Sequence, residues 1–366
     1  MRAFRRTLMT LFLCVLLTST AFGYSAQSAI LLDADSGTIL ESVDPDRKMA
    51  PASTTKLMTA LCASRMLNGY TRVFTVSSRA ACAEGSSIYL KAGEQVSSTT
   101  LLYGLLLESG NDAAVALAEG LCGSETVFVN EMNLLALDLG MSGSHFMNCS
   151  GLPDEDHYST ARDMATLMCA CTKDVDLLRI MGTRSYSDEG HSFQNHNKLL
   201  WQLEECDGGK TGYTKSAGRC LVSSACFFGR RFICVTLNDP ADWQDHASFY
   251  ELAKCRFVTA RVEQRALSVF IPCAGCENQV FCSPDSGILV HVPDYLLDNI
   301  SVRFSTPQFL YPEISSGSTI GNAEILAGGC VLGRKQLYAS DPPLPLPERP
   351  GLWERIKTWV LGLFCI

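Results

Sequence analysis

The patterned part of the chain opens with two short apolar runs on either side of Asp35-Ser36-Gly37, in AILLDADSGTILES, and this predicts a β-hairpin. Leu57, Met58, Leu61 and Cys62 then recur at helical spacing behind the polar stretch Ser53-Thr54-Thr55-Lys56. Asn68-Gly69 ends that run, so the pattern predicts a buried helix with Ser53 at its N-terminus. Helical patterns continue through STTLLYGLLLES, GNDAAVALAEGL, SETVFVNEMNLLALDLG and STARDMATLMCACT. Strand character returns at GGKTGYT. GRCLVSSACF and RRFICVTLND follow as a pair around Phe228-Gly229-Arg230, and DWQDHASFYELAKCRF reads as a closing helix. Strands that open and close a region with a helical middle predict an α/β domain with an antiparallel sheet and a helical insert, not an alternating βαβ series.

Beyond about residue 262 the texture changes. Short strand-like segments such as ALSVFIP, ILVHVP and SVRFSTP alternate with Gly, Pro, Asp and Asn, which predicts a small all-β domain. The organisation read from the chain is a catalytic domain over 24–262, a β-rich domain over 263–338, a Pro-rich linker over 339–351 and an amphipathic helix over 352–366. In that last segment Leu352, Trp353, Ile356, Trp359, Val360, Leu363 and Phe364 form one apolar stripe. Its apolar run is too short to span a bilayer and suits the surface of one.

At the other end, Arg2, Arg5 and Arg6 precede an apolar run from Leu8 to Leu17, with Ala21 and Gly23 at plausible cleavage positions. Residues 1–23 read as a secretory signal peptide. Its loss removes those three arginines and takes the formal net charge from −8 to −11. An acidic chain argues against a nucleic-acid partner, and any anionic substrate must be met by local cations. Export and 17 cysteines together would suggest disulfides. The cysteines instead sit inside apolar runs such as LCASRML and FICVTL, where a thiol serves as a small core residue. Cys273, Cys276 and Cys282 form the one cluster, which is weak as a zinc site; no metal or other cofactor is expected.

Three short motifs carry chemistry. Ser53 and Lys56 share one helical face, so a lysine kept neutral could take the serine's proton. Burial and a second nearby cation would both depress the lysine's pKa. Ser109 and Asn111 lie between two predicted helices, and Lys210, Thr211 and Gly212 lie on a predicted strand. Lys210 supplies the second cation and attracts a substrate carboxylate, Thr211 offers that carboxylate a hydroxyl, and Gly212 lets a substrate backbone approach the strand edge. Ser109 can relay a proton and Asn111 can bind a substrate amide.

In this order the set Ser-x-x-Lys, Ser-x-Asn, Lys-Thr-Gly resembles that of the penicillin-recognising serine enzymes. SAILLDADSGTIL, GNDAAVALAE, GLPDEDHYSTARD, NKLL and KTGYTKSAGRCLV are similar to one branch, the low-molecular-mass D-alanyl-D-alanine carboxypeptidases of serine peptidase family S11. The resemblance covers roughly residues 28–260. It implies a serine β-lactamase/DD-peptidase-like domain, Ser53 as acylated nucleophile, Lys56 as its base, and an oxyanion hole from the N–H groups of Ser53 and Tyr213. Tyr213 stands where other branches carry histidine. His157 is expected on a loop near the cleft, in either a functional or a loop-stabilising role. The implied substrate is a peptidoglycan pentapeptide ending in D-Ala-D-Ala, with β-lactams as inhibitors and the membrane surface as a further partner. A serine β-lactamase is the alternative enzyme, but no Glu-x-x-Leu-Asn lies between Asn111 and Lys210, and Glu155 has the wrong context. A non-enzymatic penicillin-sensing or wall-binding protein is the other alternative, and such a module would have no need of an activated serine.

Overall fold

The computed structural model describes residues 24–340 apart from 68, 189, 275–278 and 312. The expected signal peptide, the linker from 341 onward and the expected C-terminal helix therefore lie outside the described residues, as does Cys276. The chain divides into two compact units after Lys254.

The first unit is built on one antiparallel sheet. Its strands are β1 (Ser28–Asp33), β2 (Ile39–Val43), β3 (Cys206–Thr214), β4 (Gly218–Phe227) and β5 (Arg230–Leu237), in spatial order β2-β1-β5-β4-β3. Chain ends thus meet at the centre, where β1 pairs with β5, and β3 is left as an edge. Arg230 and Asp33 tie these central strands by a fully buried ion pair at 2.7 Å.

Between β2 and β3 runs the helical insert: α1 (Lys56–Met66), α2 (Ser98–Leu107), α3 (Asn111–Cys122), α4 (Glu125–Asp138), α5 (Ala161–Lys173) and α6 (Val175–Gly182). Its starts follow capping chemistry. Ser97, Ser124 and Thr160 each accept a hydrogen bond from a backbone N–H three residues on. Helix α1 is buried on all sides from Lys56 to Ala63, which is why its apolar stripe is broad rather than narrow. Leu57, Met58 and Leu61 join Leu101, Leu105, Phe128, Met132, Met164 and Met168 in a core that reaches Ile30, Val222, Ile233 and Val235 of the sheet. The opposite face is covered by α7 (Asp242–Cys255), whose Tyr250 hydroxyl and His246 Nδ1 both lie 2.7 Å from Ser223 Oγ of β4. Antiparallel sheet and helical insert thus stand as the apolar pattern predicts.

The second unit is all-β. Strands β6 (Phe257–Val262) and β9 (Ile288–Pro293) form a ribbon. Strands β7 (Val269–Ile271), β8 (Val280–Ser283), β10 (Ser301–Ser305), β11 (Thr319–Ala327) and β12 (Cys330–Ala339) form a sheet in the order β7-β8-β12-β11-β10. Two expected boundaries move. Residues 257–262 belong here rather than to the catalytic domain, because β6 takes its ladder from β9. The linker does not begin at 339, since Ala339 still pairs with Cys282 and Ser340 N–H donates to the Phe281 carbonyl. Among the described residues no group of metal-binding side chains is found.

Candidate active site

Ser53 sits in a single 3-10 turn, Ala52–Thr55, that leads directly into α1. The turn is entered through Ala52 at φ +48°, a left-handed conformation that a residue with a Cβ adopts only under constraint. Two glycines supply the constraint. A Cβ on Gly151 would stand 1.9 Å from the Ala52 carbonyl oxygen. A Cβ on Gly212 would lie 3.0 Å from the Pro51 oxygen and from the Ser53 and Thr54 nitrogens. The Ser53 turn is therefore clamped between a loop and the edge strand at backbone distance.

Lys56 is fully buried, with Nζ 3.1 Å from Ser53 Oγ and donating to the Ser150 carbonyl at 2.7 Å. Burial, reinforced by the Lys210 charge, holds its pKa well below the ordinary lysine value. A neutral amine has two N–H donors and one lone pair. With a donor spent on Ser150, the lone pair is available to the Ser53 hydroxyl. The Ser150 carbonyl is itself fixed by its loop, since Asn148 Oδ1 accepts from the N–H groups of Ser150, Gly151 and Leu152.

Ser109 ends the α2–α3 junction at φ +65°, 95% buried, and its Oγ has no hydrogen-bond partner. Asn111 begins α3; its Nδ2 donates to the Glu84 carbonyl and its Oδ1 is unpartnered. Buried polar atoms left open at a left-handed serine are the mark of a site kept for a ligand. Asp112 holds the facing loop in place, with its carboxylate accepting from the N–H groups of Ile88 and Leu90 and from Ser87 Oγ.

Lys210, Thr211 and Gly212 lie on β3, the open edge. Lys210 is buried and donates from Nζ to the Thr211 carbonyl at 2.9 Å. Burial pushes its pKa down to about 7, against an upward pull from Glu108. Tyr213 pairs with Arg219, whose carbonyl is taken by Asp239 N–H on the other side of β4. In an antiparallel ladder this turns Tyr213's own N–H and C=O to the free edge. The phenol of Tyr213 is 67% exposed, so what this residue brings to the cleft edge is its backbone.

Ser53, Ser109, Thr211, Gly212 and Tyr213 line one cavity of about 350 Å³, together with Ser86, His196, Lys198, Arg219, Asp242 and Trp243. Lys56 and Lys210 lie behind it, fully buried. Arg219 is the addition that matters most. Its Nε and Nη2 donate to the nearly buried Asp242 carboxylate, and it lines that cavity together with Thr211 and Gly212. The motif order gives no hint of it; β-register does, since Arg219 faces Tyr213 across the hairpin. His157 is not in the cavity. Its Nε2 meets Thr55 Oγ1 at 2.8 Å and its Nδ1 accepts from Met147 N–H, so it braces the Ser53 turn from behind. Burial lowers its pKa to about 4 and keeps the ring neutral.

A family model described as D-alanyl-D-alanine carboxypeptidase, peptidase S11, matches residues 17–241. DacF of Bacillus subtilis, named a D-alanyl-D-alanine carboxypeptidase, is 36% identical over 229 residues, which is 60% of this chain and 59% of that protein. DacC of Escherichia coli, with the same enzyme name, is 37% identical over 369 residues, 95% of this chain and 90% of that one. The chain is thus matched to little more than half the length of the Bacillus relative and to most of the Escherichia one. In structure, penicillin binding protein 5 from Haemophilus influenzae superposes with a TM-score of 0.63 at 27% identity, over 87% of this chain and 98% of that one.

Proposed function

The chain belongs to the D-alanyl-D-alanine carboxypeptidase family, and from that premise we propose that it removes the terminal D-alanine from peptidoglycan stem peptides through an ester on Ser53. The observation that carries the reading is the 3.1 Å approach of a buried, pKa-depressed Lys56 to Ser53 Oγ. Lys56 takes the hydroxyl proton as Oγ attacks the carbonyl between the two D-alanines. The oxyanion is received by the N–H groups of Ser53 and of Tyr213, which β-pairing turns to the open edge. Ser109 carries the proton to the leaving amine, and Asn111 Oδ1 accepts from a substrate amide. The strand edge of β3 pairs with the peptide backbone. Thr211, Lys210 and Arg219 hold the terminal carboxylate. Water then cleaves the ester, with Lys56 as base again. β-Lactams enter the same cleft and acylate the same serine.

The enzyme acts outside the cell, with residues 1–23 as its export signal and 352–366 as its attachment to the outer face of the cytoplasmic membrane. No helix among the described residues is long and apolar enough to cross a membrane. Release of D-alanine from a D-Ala-D-Ala peptide, compared with turnover of penicillin, tests the reading. Steady D-alanine release with a long-lived penicillin adduct is expected. Rapid penicillin turnover without D-alanine release would make the protein a β-lactamase.

A further inference from the structure

Nothing in the proposed mechanism uses the stretch NHNKLLWQ, residues 195–202, yet the fold fixes it beside the start of β3. Asn195 is buried, and its Nδ2 donates to the Met181 and Thr183 carbonyls. Asn197 is also buried. Its Oδ1 accepts from Leu199 N–H, and its Nδ2 would stand 2.9 Å from a Cβ on Gly209. Between and after these anchors His196 and Lys198 are exposed, and both line the catalytic cavity. They also line a second cavity of about 820 Å³, together with Glu108, Gln194, Trp201 and Gln202. The two cavities meet at these two side chains.

The course of β3 says which end of a substrate the second cavity adjoins. Followed from Tyr213 back to Lys210, the strand passes from the oxyanion site to the carboxylate site, and its next residue, Gly209, is where Asn197 packs. The charges agree. Burial raises the Asp242 pKa and Lys198 is among the charges that pull it back, so Lys198 stands at the Arg219–Asp242 end. Burial lowers the Lys210 pKa and Glu108 opposes it, so Glu108 lies within electrostatic reach of the carboxylate site. The second cavity therefore continues past the terminal carboxylate. A leaving D-alanine has only a methyl group to offer there and cannot fill it.

The walls supply an indole and a carboxylate. Trp201 is 46% exposed. Glu108 Oε1 accepts from Gln194 N–H at 2.7 Å and Oε2 lies 3.1 Å from His196 Nε2, which takes two of a carboxylate's roughly four acceptor positions. An indole accepts an aliphatic stem or a cation on its face, and a carboxylate accepts the cation. We propose that this cavity is a subsite for the side chain of the leaving residue, and that the enzyme also releases C-terminal D-amino acids whose side chain is an aliphatic stem ending in an ammonium group. The subsite rests on the carboxypeptidase reading and specifies its leaving group. The bonds exchanged stay the same: Ser53 Oγ joins the carbonyl carbon, the C–N bond to the leaving residue breaks, its α-nitrogen takes the proton that Lys56 removed, and water later cleaves the ester. The leaving residue keeps its carboxylate on Thr211, Lys210 and Arg219, lays its stem along Trp201 and brings its ammonium to Glu108.

The test uses the mature chain, 24–366, and three peptides that differ only in the last residue: D-alanine, D-lysine or D-norleucine, the last being a stem without the ammonium. Release of the terminal amino acid gives kcat/KM for each. D-lysine should be released about 5- to 20-fold more efficiently than D-norleucine, the range for a charge-assisted contact at a partly exposed carboxylate. Glu108→Gln should bring that ratio close to one. Trp201→Ala should lower D-lysine and D-norleucine together, several-fold relative to D-alanine. Ratios are the readout because Glu108→Gln also changes the surroundings of Lys210, which all three peptides share. Release of D-alanine with no preference for D-lysine over D-norleucine overturns the subsite and leaves the carboxypeptidase reading standing. A preference that survives Glu108→Gln overturns it as well. No release from any of the three peptides overturns the carboxypeptidase reading and takes the subsite with it. The wild-type comparison decides even if a variant fails to fold.

Discussion

At the level of single residues, the cleft combines two buried lysines, and they carry different loads. Lys56 touches Ser53, while Lys210 donates to the Thr211 carbonyl on the edge strand. A buried lysine is a stability cost below its unfolded pKa. Lys210 has a folded pKa of about 7 against an ordinary 10.5, so the unfolded chain binds the extra proton between those values. That cost is full below about pH 7 and fades as pH rises toward 10.5. Lys210→Met is therefore expected to abolish most activity while raising stability by about 1–4 kcal/mol at pH 7, and by little at pH 10. Denaturant melts at the two pH values check the sign. Arg219 makes a second prediction. Removing a charge-assisted contact is worth about 1.5–3 kcal/mol. Arg219→Leu combined with Asp242→Asn, which avoids a buried unpaired carboxylate, should raise KM roughly 10- to 100-fold for a free D-Ala-D-Ala terminus, with kcat little changed. For the C-terminal amide the same variant should lose almost nothing. Equal losses on acid and amide would remove Arg219 from carboxylate recognition.

Elements explain why those residues meet, and how far the sequence discloses them. The hairpin around Gly37, the helix after Ser53 and the strand pair around Gly229 are legible because local turn chemistry and apolar period agree there. The motif serines and lysines are legible because their residue types are chemically unusual in those settings. What stays hidden is long-range. Gly151 and the Ser150 carbonyl come from a loop nearly a hundred residues after Ser53, and nothing in its local pattern says which helix it will press against. The 257–262 strand was hidden for the same reason, since its partner comes from 288–293. Gly151 yields an element-scale prediction. A methyl group there meets the Ala52 carbonyl at an impossible distance and at φ +84°. Gly151→Ala should destabilise the domain by about 1–3 kcal/mol and slow penicillin acylation, because the Ser53 turn must move. Stopped-flow acylation alongside a thermal melt separates this from a merely unfolded variant; unchanged acylation would mean that the loop does not set the serine.

For the whole molecule, the pH range of stability follows from histidines buried as neutral rings. Burial holds His157 at about 4 and His246 at about 3, against 6.5 when free. Their neutral contacts are fully present above pH 6.5 and are lost as pH falls through that window toward 4 and 3, because the unfolded chain takes up protons first. Unfolding free energy should drop between pH 6.5 and 4.5 by up to about 3 kcal/mol per histidine, and His157→Gln should flatten that slope. A slope unchanged in that variant would assign the acid sensitivity elsewhere.

The account stands on Ser53 as the acylated residue. Mass spectrometry of the mature protein after brief exposure to a D-Ala-D-Ala-terminated peptide and, separately, to penicillin tests this most directly. The predicted result is one adduct per chain on the peptide containing Ser53, free D-alanine released from the donor, and no adduct on Ser53→Ala. An adduct on any other residue, or undiminished labelling of Ser53→Ala, would contradict it.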